Sequence, residues 1–86
     1  MRTMRIPRSV REGILMPAVS EIILSEQQKG NYPSDTQIAA RINERRASGE
    51  IHLPRDVSRN DVISARYVGE SRKIIPKRPT TRRQQG

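Results

Sequence analysis

The chain has 86 residues, no cysteine, and 17 lysines and arginines against nine acids, which gives a formal net charge of +8. A chain of this length forms one domain at most, and without cysteine it has no disulfide, no thiol catalysis and no cysteine-ligated zinc. No apolar run approaches the roughly 18 residues that a membrane span needs, so we expect a cytoplasmic protein that does not enter a membrane.

The positive charge is concentrated at the two ends. Residues 1–11 carry four arginines and residues 72–86 carry six cations, neither with an acid, while residues 12–71 have a net charge of −2. Arginine grips phosphate through two parallel hydrogen bonds, so this distribution predicts a polyanionic partner. The predicted phosphate contacts in the two ends are Arg2, Arg5, Arg8, Arg72, Lys73, Lys77, Arg78, Arg82 and Arg83.

Residues 1–8 are predicted to form a flexible basic arm and residues 9–76 a helical core. Residues 77–86 contain only lysine, arginine, proline, threonine, glutamine and glycine. Such a segment has no apolar side chains with which to offset the entropy lost on ordering, so it is predicted to be disordered when free.

The first predicted helix covers residues 17–29. Pro17 suits a first helical position, and Gly30 suits the left-handed residue after the end. Residues 9–12 read as a capping box, which predicts a short helical turn upstream. The apolar stripe at helical spacing consists of Val19, Ile22 and Ile23.

The second predicted helix covers residues 35–48. It begins at an S-x-x-Q capping box in residues 34–37 and ends before Gly49. Its exposed side carries Arg41 and Arg45, which we predict to contact nucleic acid. Its buried stripe consists of Ile38, Ala39 and Ile42.

The third predicted helix covers residues 59–68. The hydroxyl of Ser58 is expected to cap the amide of Asp61, whose carboxylate also suits the positive end of the helix dipole. Gly69 is predicted to end the helix. The apolar residues expected at its start and along its buried side are Val57, Val62, Ala65 and either Val68 or Gly69.

The connection between the second and third helices contains a short alternating pattern. Ile51 and Leu53 flank His52, which is compatible with a short strand. Residues 74–75 are either its partner strand or an apolar pair that packs on the helices. Proline at positions 76 and 79 then marks the departure from the fold.

Two segments of the chain resemble the helix-turn-helix class of DNA-binding domains. Residues 36–42 (Thr-Gln-Ile-Ala-Ala-Arg-Ile) resemble the supporting helix, and residues 57–66 (Val-Ser-Arg-Asn-Asp-Val-Ile-Ser-Ala-Arg) resemble the recognition helix. The usual turn has three or four residues, whereas at least eight, residues 49–56, separate these helices. The resemblance therefore implies a small all-α domain of three helices, in a winged or variant form.

The resemblance also implies a set of groove contacts on the third helix. Arg59 can pair with guanine and Asn60 with adenine in the major groove. Ser64 can contact a phosphate and Ile63 a thymine methyl group, and Tyr67 lies on the same exposed face. The alternative interpretation of these side chains is an ordinary solvated helix face.

The preferred functional prediction is a small DNA-binding transcription regulator of bacterial or phage type, which can act as a homodimer on paired half-sites. One alternative is a module that docks on RNA polymerase or another large nucleic-acid machine. A second is a protein associated with RNA or the ribosome, although only two tyrosines are present for base stacking. No catalytic grouping or cofactor site is recognisable, and His52 has no second histidine with which to share a metal.

Overall fold

The computed structural model describes residues 5–77. Most of these residues are helical. The N-terminal helical segment runs without a break through three parts: α1 (Arg8–Val10), a π-helical segment (Arg11–Leu15) and α2 (Met16–Gln27). It is followed by α3 (Asp35–Ala47) and α4 (Arg59–Ser71). The predicted all-α class is confirmed, and since residues 5–77 contain no strand, a winged form is not present in this part of the chain.

Pro17 lies inside the N-terminal helical segment, although it was predicted to begin a helix. Proline has no amide hydrogen, and its ring crowds the carbonyl four residues earlier, which here belongs to Gly13. The helix accommodates this by widening to π geometry, in which the amide of Met16 donates to the carbonyl of Arg11. The first helix therefore starts nine residues earlier than predicted, at Arg8.

The predicted capping box of residues 9–12 is wrong. The residue that precedes the helix is Pro7, and no side chain caps the first amides. Glu12 is one turn inside the helix, where its carboxylate accepts a hydrogen bond from Nε of Arg8 at 2.8 Å. Glu12 lies three residues after Ser9, which is the spacing of a capping box, and four residues after Arg8, which is the spacing of a helical ion pair. The start of the helix at Arg8 leaves only the ion pair.

The capping signals of the other two helices are confirmed. Ser34 accepts from the amide of Gln37, whose side chain in turn accepts from the Ser34 amide. Ser58 and Asp61 form the equivalent pair at the start of α4. Each reciprocal pair satisfies two backbone donors that the helix itself leaves without a partner, so both helices begin where the sequence predicted.

Glycine ends two of the helical segments as predicted, but not the third. Gly30 and Gly49 have φ values of 83° and 86° after α2 and α3. Gly69 instead lies within α4, which continues to Ser71 and is closed by Lys73 in the left-handed region at φ 61°. The amides of residues 73 and 74 donate to the carbonyls of Glu70 and Gly69, the pattern of a Schellman motif.

Gly69 has a packing role in place of its predicted capping role. A Cβ atom at this position would lie 2.3 Å from Cδ1 and 2.5 Å from Cγ1 of Ile75. The chain turns back after α4, and Ile75 seats its side chain directly over the glycine with only 2% of the residue exposed. Glycine is present because it permits this close approach.

No strand forms between α3 and α4, although the alternating pattern of residues 51–53 is compatible with a short one. Leu53 is instead buried singly in the core, and its carbonyl accepts from Nε of Arg46 at 3.0 Å. Asn43 binds the other end of the connection, donating to the carbonyl of Val57 at 3.0 Å and accepting from its amide at 2.8 Å. Side chains of α3 therefore form hydrogen bonds with backbone groups of the connection, which a partner strand would otherwise bond.

The core is aliphatic and draws on the π-helical segment, on α2, α3 and α4, and on residues outside both ends of the helical region. The predicted stripes of α2, α3 and α4 are buried as expected. Ile6 is also buried, at 6% exposure, so the described part of the predicted N-terminal arm is fastened to the core by its own side chain. The largest fully buried side chains of the core are Leu15, Val19, Ile22, Ile23, Ile38, Ile42 and Val62.

Arg66 is the one arginine buried with this core among residues 5–77. Its Nε and Nη2 donate to the two carboxylate oxygens of Asp35 at 2.9 and 3.2 Å, and its Nη1 donates to Glu70 at 2.8 Å. Asp35 is the first residue of α3, so this pair joins α4 to the start of α3. Burial disfavours the charged form, but these hydrogen bonds outweigh it and raise the pKa of Arg66 above its ordinary value.

We expect Gly69→Ala to destabilise the protein, although alanine is the better helix former by about 1 kcal/mol. The added methyl group must displace the buried Ile75 side chain, and overpacking of this kind costs about 1–3 kcal/mol. Urea unfolding followed by circular dichroism is expected to show a net loss of about 1 kcal/mol. Gly13→Ala is the control, since beyond its chain neighbours and the backbone of its own helix no atom lies within 4 Å of the added Cβ. Equal stability changes in the two variants would contradict the packing role.

We expect Arg66→Met to cost about 3–5 kcal/mol, because it leaves the carboxylate of Asp35 buried without its partner. Adding Asp35→Asn to that variant is expected to recover part of the loss, since it removes the uncompensated charge. Arg45→Met tests an ion pair that is far more exposed, and its expected cost is about 1 kcal/mol or less. The same urea titration measures all three, and a loss no larger for Arg66→Met than for Arg45→Met would refute this assignment.

Candidate nucleic-acid interface

The predicted groove contacts share one face of α4. Residues 59, 60, 63, 64 and 67 follow helical spacing, which places them on the side away from the buried stripe. Arg59, Asn60 and Ser64 are exposed, Ile63 is half-buried, and Tyr67 has 61% of its surface exposed. The structure therefore brings all five predicted side chains together on an accessible surface, here called the α4 face.

The start of the α4 face is held rigidly by Arg55. Its guanidinium donates to both carboxylate oxygens of Asp61 at 2.7 and 3.2 Å and to the carbonyl of Asp56 at 2.7 Å. Desolvation opposes ionisation of Asp61, but hydrogen bonds from Arg55 and from Ser58 together keep the pKa of this carboxyl below its ordinary value. The first turn of α4 is thus fixed by a charged pair in addition to its cap.

Three arginines lie together beside the C-terminal end of the α4 face. Arg8, Arg11 and Arg72 line one surface depression together with Tyr67 and Glu12. We call these three arginines the arginine cluster. It forms because the N-terminal helical segment packs against α4, which brings residues from opposite ends of the chain together.

Glu12 partly neutralises the arginine cluster. Its carboxylate pairs with Arg8 at 2.8 Å and with Arg72 at 3.1 Å. The hydrogen bond from Arg8 is the main cause of a lowered Glu12 pKa, which burial opposes and Arg72 reinforces. Two of the three arginines share this one carboxylate and Arg11 does not pair with it, so the depression keeps an excess of positive charge.

Arg11 is the member of this cluster that was missing from the predicted contacts. Its Nε atom is buried and has no hydrogen-bond partner within residues 5–77. Its position three residues after Arg8 becomes informative only when helical structure is known to begin at Arg8, since an extended arm would point the two side chains in different directions.

The two predicted contacts on α3 have acidic partners on α2. Arg41 donates to Glu26 at 2.7 Å, and Arg45 donates to Glu21. The hydrogen bond from Arg41 is the main cause of a lowered pKa at Glu26. These arginines connect α2 with α3, and any contact with nucleic acid would have to compete with those pairs.

The remaining predicted contacts are divided between two other regions. Arg5 is exposed beside the buried Ile6. Lys73 and Lys77 line a different groove, on the other side of Tyr67. Arg2, Arg78, Arg82 and Arg83 lie outside the described residues.

Most acids of the chain are used internally, which leaves several cations uncommitted. Seven of the nine acids form ion pairs with cations of residues 5–77, whereas Glu44 and Glu50 form none with that part of the chain. Within residues 5–77, the cations that form no ion pair are Arg5, Arg11, Arg59, Lys73 and Lys77. Two of them, Arg59 and Arg11, belong to the α4 face and the arginine cluster.

The described residues contain no group of three or more histidine, cysteine or acidic side chains that could hold a metal. His52 is exposed in the connection between α3 and α4. None of the helices described between residues 5 and 77 combines the length and apolar character needed to cross a membrane.

Comparison with known protein families, curated proteins and solved structures found no match to this chain.

The lowered pKa of Asp61 predicts an acid-sensitive contribution to stability. A carboxyl with a folded pKa below its unfolded value stabilises the fold above the unfolded value, near pH 4, and the contribution disappears as the pH falls through the folded pKa. We expect Asp61→Asn to lower the free energy of unfolding by about 1 kcal/mol at pH 7 and by much less at pH 3.

Urea midpoints at pH 7, 5 and 3 measure this difference. The matched control is the same substitution in an Arg55→Gln background, where most of the pH dependence is expected to be lost. An Asp61→Asn effect of the same size at pH 7 and pH 3 would show that the carboxylate charge is not involved.

Proposed function

We propose that this protein is a small DNA-binding transcription regulator that presents the α4 face to the major groove. The observation that carries the proposal is the exposed set of Arg59, Asn60, Ser64 and Tyr67 on one capped helix, next to the arginine cluster. Arginine and asparagine form bidentate pairs with guanine and adenine, and an α-helix fits the width of the major groove. This combination supplies base-reading groups and phosphate-binding groups on adjoining surfaces.

The arginine cluster would bind the phosphate backbone. Arg8, Arg11 and Arg72 lie beside Tyr67, so a duplex in contact with the far end of α4 would bring a backbone strand close to them. Phosphate contacts position a protein on DNA, whereas base contacts give specificity. In this proposal the arginine cluster positions the protein on DNA and the α4 face gives specificity.

The long connection between α3 and α4 is compatible with a role for α4 as a recognition helix. A typical helix-turn-helix has a turn of three or four residues, whereas residues 48–58 separate these helices. The connection is held by Asn43 and Arg46 of α3 and by Arg55 at its end. Those contacts give α4 a fixed position relative to α3, which a recognition helix requires.

DNA is favoured over single-stranded RNA by the distribution of aromatic side chains. Recognition of unpaired bases relies on several stacking rings. Tyr67 is exposed, but Tyr32 is half-buried and donates its hydroxyl hydrogen to the carbonyl of Pro76 at 2.8 Å. A single available ring supports duplex binding better than base stacking.

Selection from a pool of randomised duplexes, followed by fluorescence anisotropy on the enriched site, tests the proposal. We expect Arg59→Ala and Asn60→Ala to lower the preference for that site over random duplex by about 1–3 kcal/mol each. Arg11→Ala is expected to weaken binding to all duplexes and to reduce the slope of log affinity against log salt by about 0.9.

Two controls accompany these variants. Glu12→Gln removes the carboxylate that neutralises the arginine cluster, so duplex affinity is expected to rise a few-fold. Arg41→Ala is expected to have little effect, because its guanidinium is engaged with Glu26. Failure to bind any duplex at about 50 mM salt, where phosphate contacts are strongest, would refute the proposal. Preference for RNA in a parallel titration would refute the choice of DNA.

A further inference from the structure

All three large apolar side chains that are exposed among residues 5–77 line the same groove. Leu24 has 46% of its surface exposed, Tyr67 61% and Ile74 48%. They come from α2, from α4 and from the segment after α4, and Pro76 extends the apolar surface between them. Scattered exposed apolar residues are ordinary on a small protein, but their convergence in one groove is typical of an interaction site.

The segment that forms one side of this groove is fixed in place. Ile75 is buried over Gly69, whereas the neighbouring Ile74 is exposed. The hydroxyl of Ser20 donates to the carbonyl of Ile74 at 3.4 Å, and the hydroxyl of Tyr32 donates to that of Pro76 at 2.8 Å. The groove is therefore formed before any partner arrives, which reduces the entropy lost on binding.

The rim of the groove is positively charged. Lys73 and Lys77 are exposed there, and neither forms an ion pair within residues 5–77. Glu70 also lines the groove, but its side chain is only 13% exposed and its carboxylate accepts a hydrogen bond from Arg66 at 2.8 Å. A ligand therefore meets apolar surface flanked by two free ammonium groups.

We propose that this groove binds an acidic amphipathic segment of a partner protein. Apolar side chains of that segment would pack on Leu24, Tyr67 and Ile74, and its carboxylates would pair with Lys73 and Lys77. An amphipathic helix laid into an apolar groove is a common mode of peptide recognition, and complementary charge at the rim gives orientation and specificity.

Charge distinguishes this occupant from the alternatives. A second copy of the chain has a net charge of +8 and would bring like charge to a basic rim. Residues 78–86 of the same chain contain three arginines, no acid and no large apolar side chain, so they match neither the floor nor the rim of the groove.

This site goes beyond the proposed DNA interface and can be tested separately. Leu24 and Ile74 belong to neither the α4 face nor the arginine cluster and are not predicted phosphate contacts, whereas Tyr67 is shared with the α4 face. The side chains of Leu24 and Ile74 are exposed, so substitutions at these two positions are expected to leave the fold and duplex binding intact.

The experiment is a display selection with the full chain as bait. The library consists of 16-residue peptides randomised among apolar, acidic, basic and polar residues. Each round includes counter-selection against the Leu24→Ser/Ile74→Ser double variant. We expect the enriched peptides to share apolar residues at helical spacing, with acids between them.

The best enriched peptide is then measured by fluorescence anisotropy. We expect Ile74→Ser to weaken its binding at least tenfold. Lys77→Glu is expected to weaken it several-fold and to reduce its salt dependence, and Arg59→Ala to leave it unchanged. Circular dichroism checks that each variant is folded.

Three outcomes would overturn the proposal. They are failure of the selection to enrich any peptide, enrichment of basic or purely apolar peptides, and binding that is insensitive to Ile74→Ser in a folded variant. Sedimentation of the unbound chain provides a further test, because self-association abolished by Leu24→Ser/Ile74→Ser would identify a second copy as the occupant. Loss of duplex binding has no bearing on these outcomes, so this proposal and the DNA proposal can fail independently.

Discussion

The buried guanidinium of Arg66 determines how α4 is seated, and much of the molecule depends on it. It joins the first residue of α3 to the body of α4 through two bonds to Asp35 and one to Glu70. A buried charge is tolerated only when its hydrogen bonds are satisfied, so the two helices have one favourable relative position. Tyr67 is the next residue, and its ring centroid lies 5.1 Å from the same guanidinium. The orientation of the exposed α4 face, and of the groove beside Tyr67, therefore follows from an interaction inside the molecule.

Side-chain hydrogen bonds compensate for the lack of regular structure between α3 and α4. Asn43 binds both backbone groups of Val57, Arg46 binds the carbonyl of Leu53, and Arg55 connects the end of the segment to Asp61. A long connection without such contacts would leave α4 free to move, and backbone groups near the core would lack partners. In a short turn, the small number of residues fixes the position of the next helix. In this longer connection, three polar side chains fix it.

Ion pairing in the folded chain determines which of its charged side chains remain available to a partner. The central part of the sequence is nearly neutral, but most of its acids are bound to arginines between or within helices. Four of the five cations that form no ion pair within residues 5–77 lie in two separate places. Arg59 and Arg11 belong to the proposed DNA surface, whereas Lys73 and Lys77 flank an apolar groove. A regulator that holds DNA with one surface and an acidic protein segment with the other is consistent with this separation.

The sequence by itself determined those structural features that depend only on residues a few positions apart in the chain. The capping boxes at Ser34 and Ser58 and the helix ends at Gly30 and Gly49 were all predictable, because each is a hydrogen-bonding or backbone requirement met locally. The apolar stripes and the five residues of the α4 face followed from helical spacing in the same way. Only the tertiary structure decided the rest. It placed Gly69 under Ile75 rather than at a helix end, continued the first helix through Pro17, and assembled the arginine cluster from residues 8, 11 and 72. The packing of Gly69 and the arginine cluster depend on contacts between separate segments, for which local spacing contains no signal. The passage of the helix through Pro17 depends on a widening to π geometry that the helical spacing of the sequence does not indicate.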